Sequence, residues 1–293
     1  MKHLFCFGFG YSAQAIADVV RRRGWRITGT ATSEAKCAKL TNAGIEAMLF
    51  TREHPLPASA LATATHVLSS VPPDESGDPV VDVHGRDLAA LPALEWAGLL
   101  STTGVYGDRG GAWVDEETDP APSAERSARR VRAEAQWLDL HGKHRVPVHV
   151  FRLAGIYGPG RNPLDAIRAG TARRIVKPGL VLGRIHRDDI AGAILSSMER
   201  PNPGATYNVT DDEPAPPQDV VSFGCSLLGR EPPAEVGFDE ADMSEMARSF
   251  YLDNKRVRND RLKSELGYRL KFPTYRDGLR ALLSEPPQAP RRR

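Results

Sequence analysis

An α/β fold, with a doubly wound parallel sheet and a small carboxyl-terminal substrate lobe, is what this sequence predicts, and three observations carry it. The first half alternates short apolar runs with helical patterns, the texture of a parallel sheet with crossover helices. A first apolar run ends at once in a glycine turn, Gly8-Phe9-Gly10-Tyr11-Ser12-Ala13. Past Gly155 the texture changes, with glycine and proline frequent among short strands and short helices.

Taken in order, Leu4 to Phe7 reads as a first strand, followed by a helix through Ala13, Ile16, Ala17 and Val20. Gly24 breaks that helix before a second strand, Trp25 to Thr30, and a helix from Ser33 to Ala43 leads to a third, Ile45 to Phe50. Thr65 to Ser70 supplies a fourth strand, ending at the turn Pro72-Pro73, Trp96 to Ser101 a fifth, and Val146 to Leu153 a sixth. Ser123 to His141 forms a long, strongly charged helix between the last two. Short strands are expected at Val181-Leu182 and at Tyr207-Asn208-Val209. This divides the chain into a core over 1–160, to which 185–210 returns, a lobe over 161–184 and 211–284, and a disordered Pro- and Arg-rich tail over 285–293.

Composition narrows the function classes. The chain has 293 residues, enough for one large α/β core and a modest lobe. Its 39 basic and 37 acidic residues leave a net charge of +2, which is no electrostatic footprint for nucleic acid. Cys6, Cys37 and Cys225 are scattered at no metal or redox spacing and point to a reducing compartment. No apolar run reaches the roughly 18 residues of a membrane helix, and the amino terminus lacks the length of a signal peptide, so a cytoplasmic protein without membrane or metal is expected.

The glycine turn matches G-x-G-x-x-(G/A), the Rossmann-type phosphate fingerprint. Gly8 makes the tight turn, Gly10 lets the backbone approach a pyrophosphate, and the small Ala13 allows close helix–strand packing. The helix amino terminus then presents N–H groups and a positive dipole end, so Gly8, Gly10, Tyr11, Ser12 and Ala13 are assigned to NAD(P). After the second strand the chain reads Gly29-Thr30-Ala31-Thr32-Ser33-Glu34-Ala35-Lys36. No acid stands where an NAD-preferring site holds the ribose 2′-OH. Thr32 and Ser33 can donate to a 2′-phosphate that Lys36 neutralises, which favours NADP over NAD; alternatively, Thr32 and Ser33 only cap the second helix. Ser70 and Val71, at the end of the fourth strand, complete the cofactor set with Arg130.

Three further motifs follow in order: Ser101-Thr102-Thr103-Gly104-Val105-Tyr106-Gly107, Arg152-Leu153-Ala154-Gly155-Ile156-Tyr157-Gly158-Pro159-Gly160-Arg161-Asn162, and Arg184-Ile185-His186-Arg187-Asp188-Asp189-Ile190-Ala191. With the glycine turn they resemble the extended short-chain dehydrogenase/reductase (NAD-dependent epimerase/dehydratase) family over about residues 1 to 284. The resemblance implies that Thr102 is the catalytic hydroxyl that hydrogen-bonds the reacting oxygen. It also implies a Y-x-x-x-K pair on the long helix, usually followed four residues later by Glu. With Glu134 as the anchor, Arg130 stands where Lys belongs and Arg126 where Tyr belongs. The chain thus resembles the atypical YeeZ-like branch, which keeps the dinucleotide site and loses the pair.

A guanidinium does not deprotonate in a protein, so Arg126 cannot serve as a phenolate base. Arg126 and Arg130 are one helical turn apart, on one face, and suit bidentate recognition of a carboxylate or phosphate; the alternative is a solvated, salt-bridged face. Tyr106 and Tyr157 end strands on the edge where ligands collect, so either is a candidate acid or base, or else a packing residue with a polar tip. Tyr157, Arg161, Asn162 and His186 join Arg126 as candidate substrate residues, although His186 also reads as a structural histidine. Asp188 and Asp189 read as helix-capping acids rather than a metal pair.

Two functions follow. One is an NAD(P)-dependent oxidoreductase or epimerase acting on a small polar or anionic molecule, a nucleotide sugar by family analogy. The other is a catalytically silent NADP(H)-binding sensor. Family analogy also suggests a homodimer through the long helix.

Overall fold

A computed structural model describes residues 1–284; the tail expected over 285–293 lies outside the described residues. In chain order the strands are β1 (His3–Phe7), β2 (Arg26–Ala31), β3 (Glu46–Leu49), β4 (His66–Ser69), β5 (Trp96–Thr102), β6 (Trp113–Val114), β7 (Val148–Leu153), β8 (Gly155–Tyr157), β9 (Arg174–Val176), β10 (Arg184–His186), β11 (Thr206–Val209), β12 (Glu235–Gly237) and β13 (Arg256–Val257). The helices are α1 (Tyr11–Arg21), α2 (Glu34–Asn42), α3 (Pro79–Ala90), α4 (Glu125–His144), α5 (Pro163–Arg168), α6 (Arg187–Glu199), α7 (Pro217–Leu227), α8 (Glu245–Ser249), α9 (Asp260–Leu266) and α10 (Tyr275–Leu283).

Seven strands form one sheet, ordered β11-β7-β5-β4-β1-β2-β3, and every neighbouring pair is parallel. The order reverses between β1 and β4, and the carboxyl ends of strands at such a switch point are where this architecture leaves a crevice. β1 shows why the sheet is buried on both faces. Side chains alternate along a strand, so Leu4 and Cys6 enter the core under α1 and α6, while Phe5 and Phe7 enter the core under α3 and α4. All four are fully buried, each apolar side chain contributing about 1.5–3 kcal/mol.

Some elements differ from the pattern. α3 was not evident because Gly85 and charged residues interrupt its apolar stripe, yet it begins on a legible signal: Asp78 accepts from the N–H groups of Val80 and Val81, with Pro79 in the first turn. Val181-Leu182 is not a strand, since only an isolated bridge joins Leu182 to Ala215. β10 pairs with β8 outside the main sheet, whereas α6 and β11 return to the core. Segments around Val181 and over 250–257 then meet the carboxyl ends of β5 and β7. β13 pairs with β6, which ties residues 256–257 to the loop after β5. All three cysteines are buried and free. No described helix is long and apolar enough to cross a membrane.

Candidate dinucleotide site and substrate cleft

The glycine turn lies at the β1/β4 switch point and is clamped from both sides. Gly8 N donates to Thr30 Oγ1 at 2.8 Å and Phe9 N to Thr30 O at 2.9 Å, while Ser70 Oγ donates to Gly8 O at 2.6 Å. Gly8 has φ +78°, and a Cβ there would stand 2.9 Å from Ser70 Oγ and 3.3 Å from Val71 N, so only glycine fits. Ser70 and Val71 therefore brace the turn.

One step later the chain opens. Gly10 occupies the N-cap position of α1 with φ −88°, and among the described residues no side chain caps the helix and a Cβ at Gly10 would meet nothing within 4 Å. An α-helix leaves its first N–H groups without intrahelical acceptors and carries a positive end there. The absence of a side-chain cap and of any acidic residue in the first turn fits a pyrophosphate. Ser12 and Ala13 turn their side chains into the core and contribute backbone only. The Tyr11 hydroxyl donates to Pro159 O at 3.0 Å, and its ring has Arg187 4.9 Å and Arg161 6.0 Å away. Neither arginine has a carboxylate within ion-pair distance among the described residues, and Arg187 Nε is buried without a hydrogen-bond partner. Two guanidinium groups without an ion pair among the described residues, beside a helix terminus that no described side chain caps, strengthen the fit to an anion.

Beyond the end of β2, Ser33 takes the N-cap position of α2, but its side chain makes no capping hydrogen bond. The alternative of a purely capping role for Ser33 is thus not realised. Lys36 Nζ donates to Thr32 Oγ1 at 3.2 Å, and both residues are exposed. Hydroxyls and an ammonium collect where a 2′-phosphate would be held.

Next to this turn a cleft of about 480 Å³ is lined by Thr102, Arg126, Arg130, Arg161, Phe250 and Lys255, among others. Thr102 Oγ1 accepts from Gly104 N at 3.0 Å, capping the short 3₁₀ turn Thr103–Tyr106, which leaves its own O–H to donate. Arg126 lies 4.1 Å from the Phe250 ring centroid and forms no ion pair among the described residues. Arg130 Nη1 donates to Leu100 O at 3.0 Å, and burial lowers its pKa against the pull of Asp78 and Glu134. The shared face expected for Arg126 and Arg130 does line the cleft, while Arg129 supplies the salt-bridged alternative with Glu75 and Glu125.

Four expected site residues point elsewhere. Tyr106 is fully buried; its hydroxyl donates to Asn208 Oδ1 at 2.8 Å and accepts from Arg152 Nη1 at 2.9 Å. It belongs to a core network in which Arg152 pairs with Glu134 at 2.8 Å and Ser101 bonds Glu134, and it does not line the cleft. Burial raises its pKa, so it is a packing residue and not the acid or base of the site. Tyr157 faces α10, where a Cβ on Gly278 would come within 2.0 Å of its hydroxyl, and burial again raises its pKa. Asn162 caps α5 by accepting from Asp165 N at 3.1 Å and donates to Gly158 O at 3.1 Å.

His186 is 1% exposed, and its Nδ1 accepts from Asp188 N at 3.1 Å, which caps α6. Its ring meets Phe272 edge-on at 4.3 Å, and burial pushes its pKa down to about 4. The structural reading of this histidine is the realised one. Asp188 pairs with Lys271 at 2.8 Å, and Asp189 accepts from Tyr268 Oη and the amides of Lys271 and Phe272, so both acids dock the carboxyl-terminal segment. No cluster of three or more candidate metal ligands occurs among the described residues.

The sequence reading missed Arg187, Phe250 and the pair Asp253–Lys255. Only Arg187 had a usable signal, its position one residue past the β10 strand end.

No family model matches the chain. Protein YeeZ of Escherichia coli K12 is 28% identical over 288 residues, spanning 93% of this chain and 97% of that protein. A conserved protein of unknown function from Silicibacter pomeroyi has a solved structure with 49% identity and a TM-score of 0.88, covering 97% of this chain and 99% of that one. The dTDP-glucose 4,6-dehydratase of Bacillus anthracis, solved in complex with NAD, shares the fold at 18% identity, a TM-score of 0.74 and coverage of 97% and 96%. By sequence the chain is a homologue of YeeZ, and its fold is the one shared by NAD-dependent epimerases and dehydratases.

Proposed function

We propose that this protein binds NADP or NAD, with NADP favoured, on the Gly8–Ala13 turn and performs oxidoreductase or epimerase chemistry on a small anionic molecule of the nucleotide-sugar type. The observation that carries this reading is the junction at Tyr11, where the amino terminus of α1, which no side chain caps among the described residues, meets the cation-lined cleft through Arg161. The nicotinamide supplies or accepts a hydride when bound. Every other part of the work falls to the chain. Backbone amides from Gly10 onward hold the pyrophosphate, and Thr32, Ser33 and Lys36 hold the 2′-phosphate. Arg130 sits over the carboxyl ends of the central strands, on the cofactor side. Arg126 and Arg161 receive the negative charge of the substrate. Thr102 donates its O–H to the reacting oxygen, where negative charge builds during hydride addition.

Two titrations test this. NADPH fluorescence should report binding to the natural protein and none to Gly10→Asp. Turnover with candidate nucleotide sugars and aldehydes should fall about 10²–10³-fold in Thr102→Val, the usual cost of losing one oxyanion donor. Equal NADPH binding by Gly10→Asp, or turnover indifferent to the Thr102 hydroxyl, overturns the assignment.

A further inference from the structure

The cleft has a catalytic hydroxyl in Thr102 but no tyrosine to move a proton. Its other wall holds a lysine whose placement is unlike that of a solvated surface group. Lys255 is 9% exposed yet lines the cleft. Its Nζ donates to Gly107 O at 2.9 Å and to Asp253 Oδ2 at 3.3 Å. An ammonium has three N–H bonds, so these two contacts leave one for a ligand. Gly107 closes the short 3₁₀ turn that Thr102 opens, so Thr102 and Lys255 are attached to opposite ends of the same turn.

The backbone around Lys255 is fixed. Asn254 O accepts from Arg109 N at 2.9 Å and Gly111 N at 3.0 Å, and Asn254 N donates to Asp108 Oδ1 at 2.9 Å. The Asn254 side chain bridges Val181 N and Gly179 O, and β13 continues along β6. A flexible four-carbon stem is thus anchored at its root by two loops and at its tip by two acceptors. Such anchoring is what a proton-transfer group requires, because its geometry must be held before its pKa matters.

We propose that Lys255 is the proton-carrying residue of this cleft, with Asp253 and the Gly107 carbonyl positioning its amine; the proposal rests on the oxidoreductase reading above. In the reducing direction a substrate carbonyl carbon accepts a hydride from the reduced dinucleotide and its oxygen accepts one proton from Lys255 Nζ. An N–H bond breaks as the O–H bond forms, the C=O π pair becomes the new O–H bond, and solvent reprotonates the neutral amine. The oxidising direction reverses each transfer. The charged groups facing the amine are Asp253 on its own segment and Asp108 and Arg109 on the loop after β5. Burial holds its pKa below the ordinary lysine range against the pull of the two acids. Arginine cannot play this part, because it does not lose its proton.

The first test needs no substrate. Acetic anhydride labelling of the whole protein across pH, read by mass spectrometry, should give Lys255 a midpoint below that of the exposed Lys143. Asp253→Asn should lower the midpoint further, since it removes an acid that stabilises the ammonium. A midpoint equal to that of Lys143 overturns the proposal. The second test is Lys255→Arg, which keeps charge and hydrogen bonding. NADPH affinity should be unchanged, while kcat/KM falls about 10²–10⁴-fold and the pH profile changes. Natural rates and an unchanged profile in Lys255→Arg also overturn it. Failure of the natural protein to bind either NADPH or NADH refutes the oxidoreductase reading instead, and the labelling midpoint still decides whether Lys255 is a tuned amine.

Discussion

Two helices packed side by side, α1 and α6, both begin just past a strand on the carboxyl side of the fold, and their first turns are treated in opposite ways. α1 begins at Gly10 with no capping side chain and open space in front. α6 begins at His186, whose imidazole caps the first turn beneath Phe272 and beside Tyr157. The dipole and the orphan amides are the same in kind at both ends. What differs is whether the chain supplies its own acceptor. A helix terminus that keeps its cap is scaffold, whereas one without a cap that also faces open space and cations has what an anion needs.

The sharpest way to break this comparison is to give α1 the cap it lacks. Asp is a preferred N-cap residue, and Gly10 has a φ that any residue adopts with room for the side chain. Gly10→Asp should therefore keep or slightly raise the melting temperature while weakening NADPH at least about 100-fold, close to 3 kcal/mol. Calorimetry and titration on one sample read both effects. A variant that merely unfolds would show that the turn is structural.

Acid should act on the other helix. Nδ1 of His186 must be unprotonated to accept from Asp188 N, and its pKa is held at about 4 against an ordinary 6.5. Between those values the unfolded chain binds the proton and the folded one does not, so the contribution of His186 is present above pH 6.5 and is lost as pH falls toward 4. Through this group the protein should lose about 2–3 kcal/mol by pH 4. His186→Gln, which caps without titrating, should show a flatter stability curve over that window; equal slopes would remove His186 from the account.

At neutral pH, His186→Ala should cost about 2 kcal/mol in chemical denaturation, from the lost cap and the lost ring contacts, with NADPH affinity unchanged. A large change in affinity would mean the two helix ends are coupled. The smallest effect is expected from Lys36→Met, about 3–10-fold weaker for NADPH with NADH unaffected, by isothermal titration. Equal losses for both nucleotides would place Lys36 away from the 2′-phosphate.

The part of the site that local sequence encodes was the part that could be read. Gly8 and Gly10 are needed by a turn a few residues long, so their reason for being there is contained in their own neighbourhood. Tyr106, Tyr157 and His186 share the opposite circumstance. Each does stand near a strand end at the ligand edge, but which way its ring turns is settled by residues far away, namely Arg152 and Asn208, Gly278, and Phe272. The run Asp253-Asn254-Lys255-Arg256 reads as ordinary polar loop, because nothing within it announces the loop after β5 that it clasps.

That clasp has a consequence for biogenesis. The amine of Lys255 meets the carbonyl of Gly107, 148 positions earlier in the chain, and a pair of two-residue strands holds the two segments together. The glycine turn has all its bracing partners once Val71 has been made, whereas the cleft beside it stays one-walled until residues 249–257 follow. A chain still under synthesis would therefore have made its glycine turn before the second wall of the cleft exists.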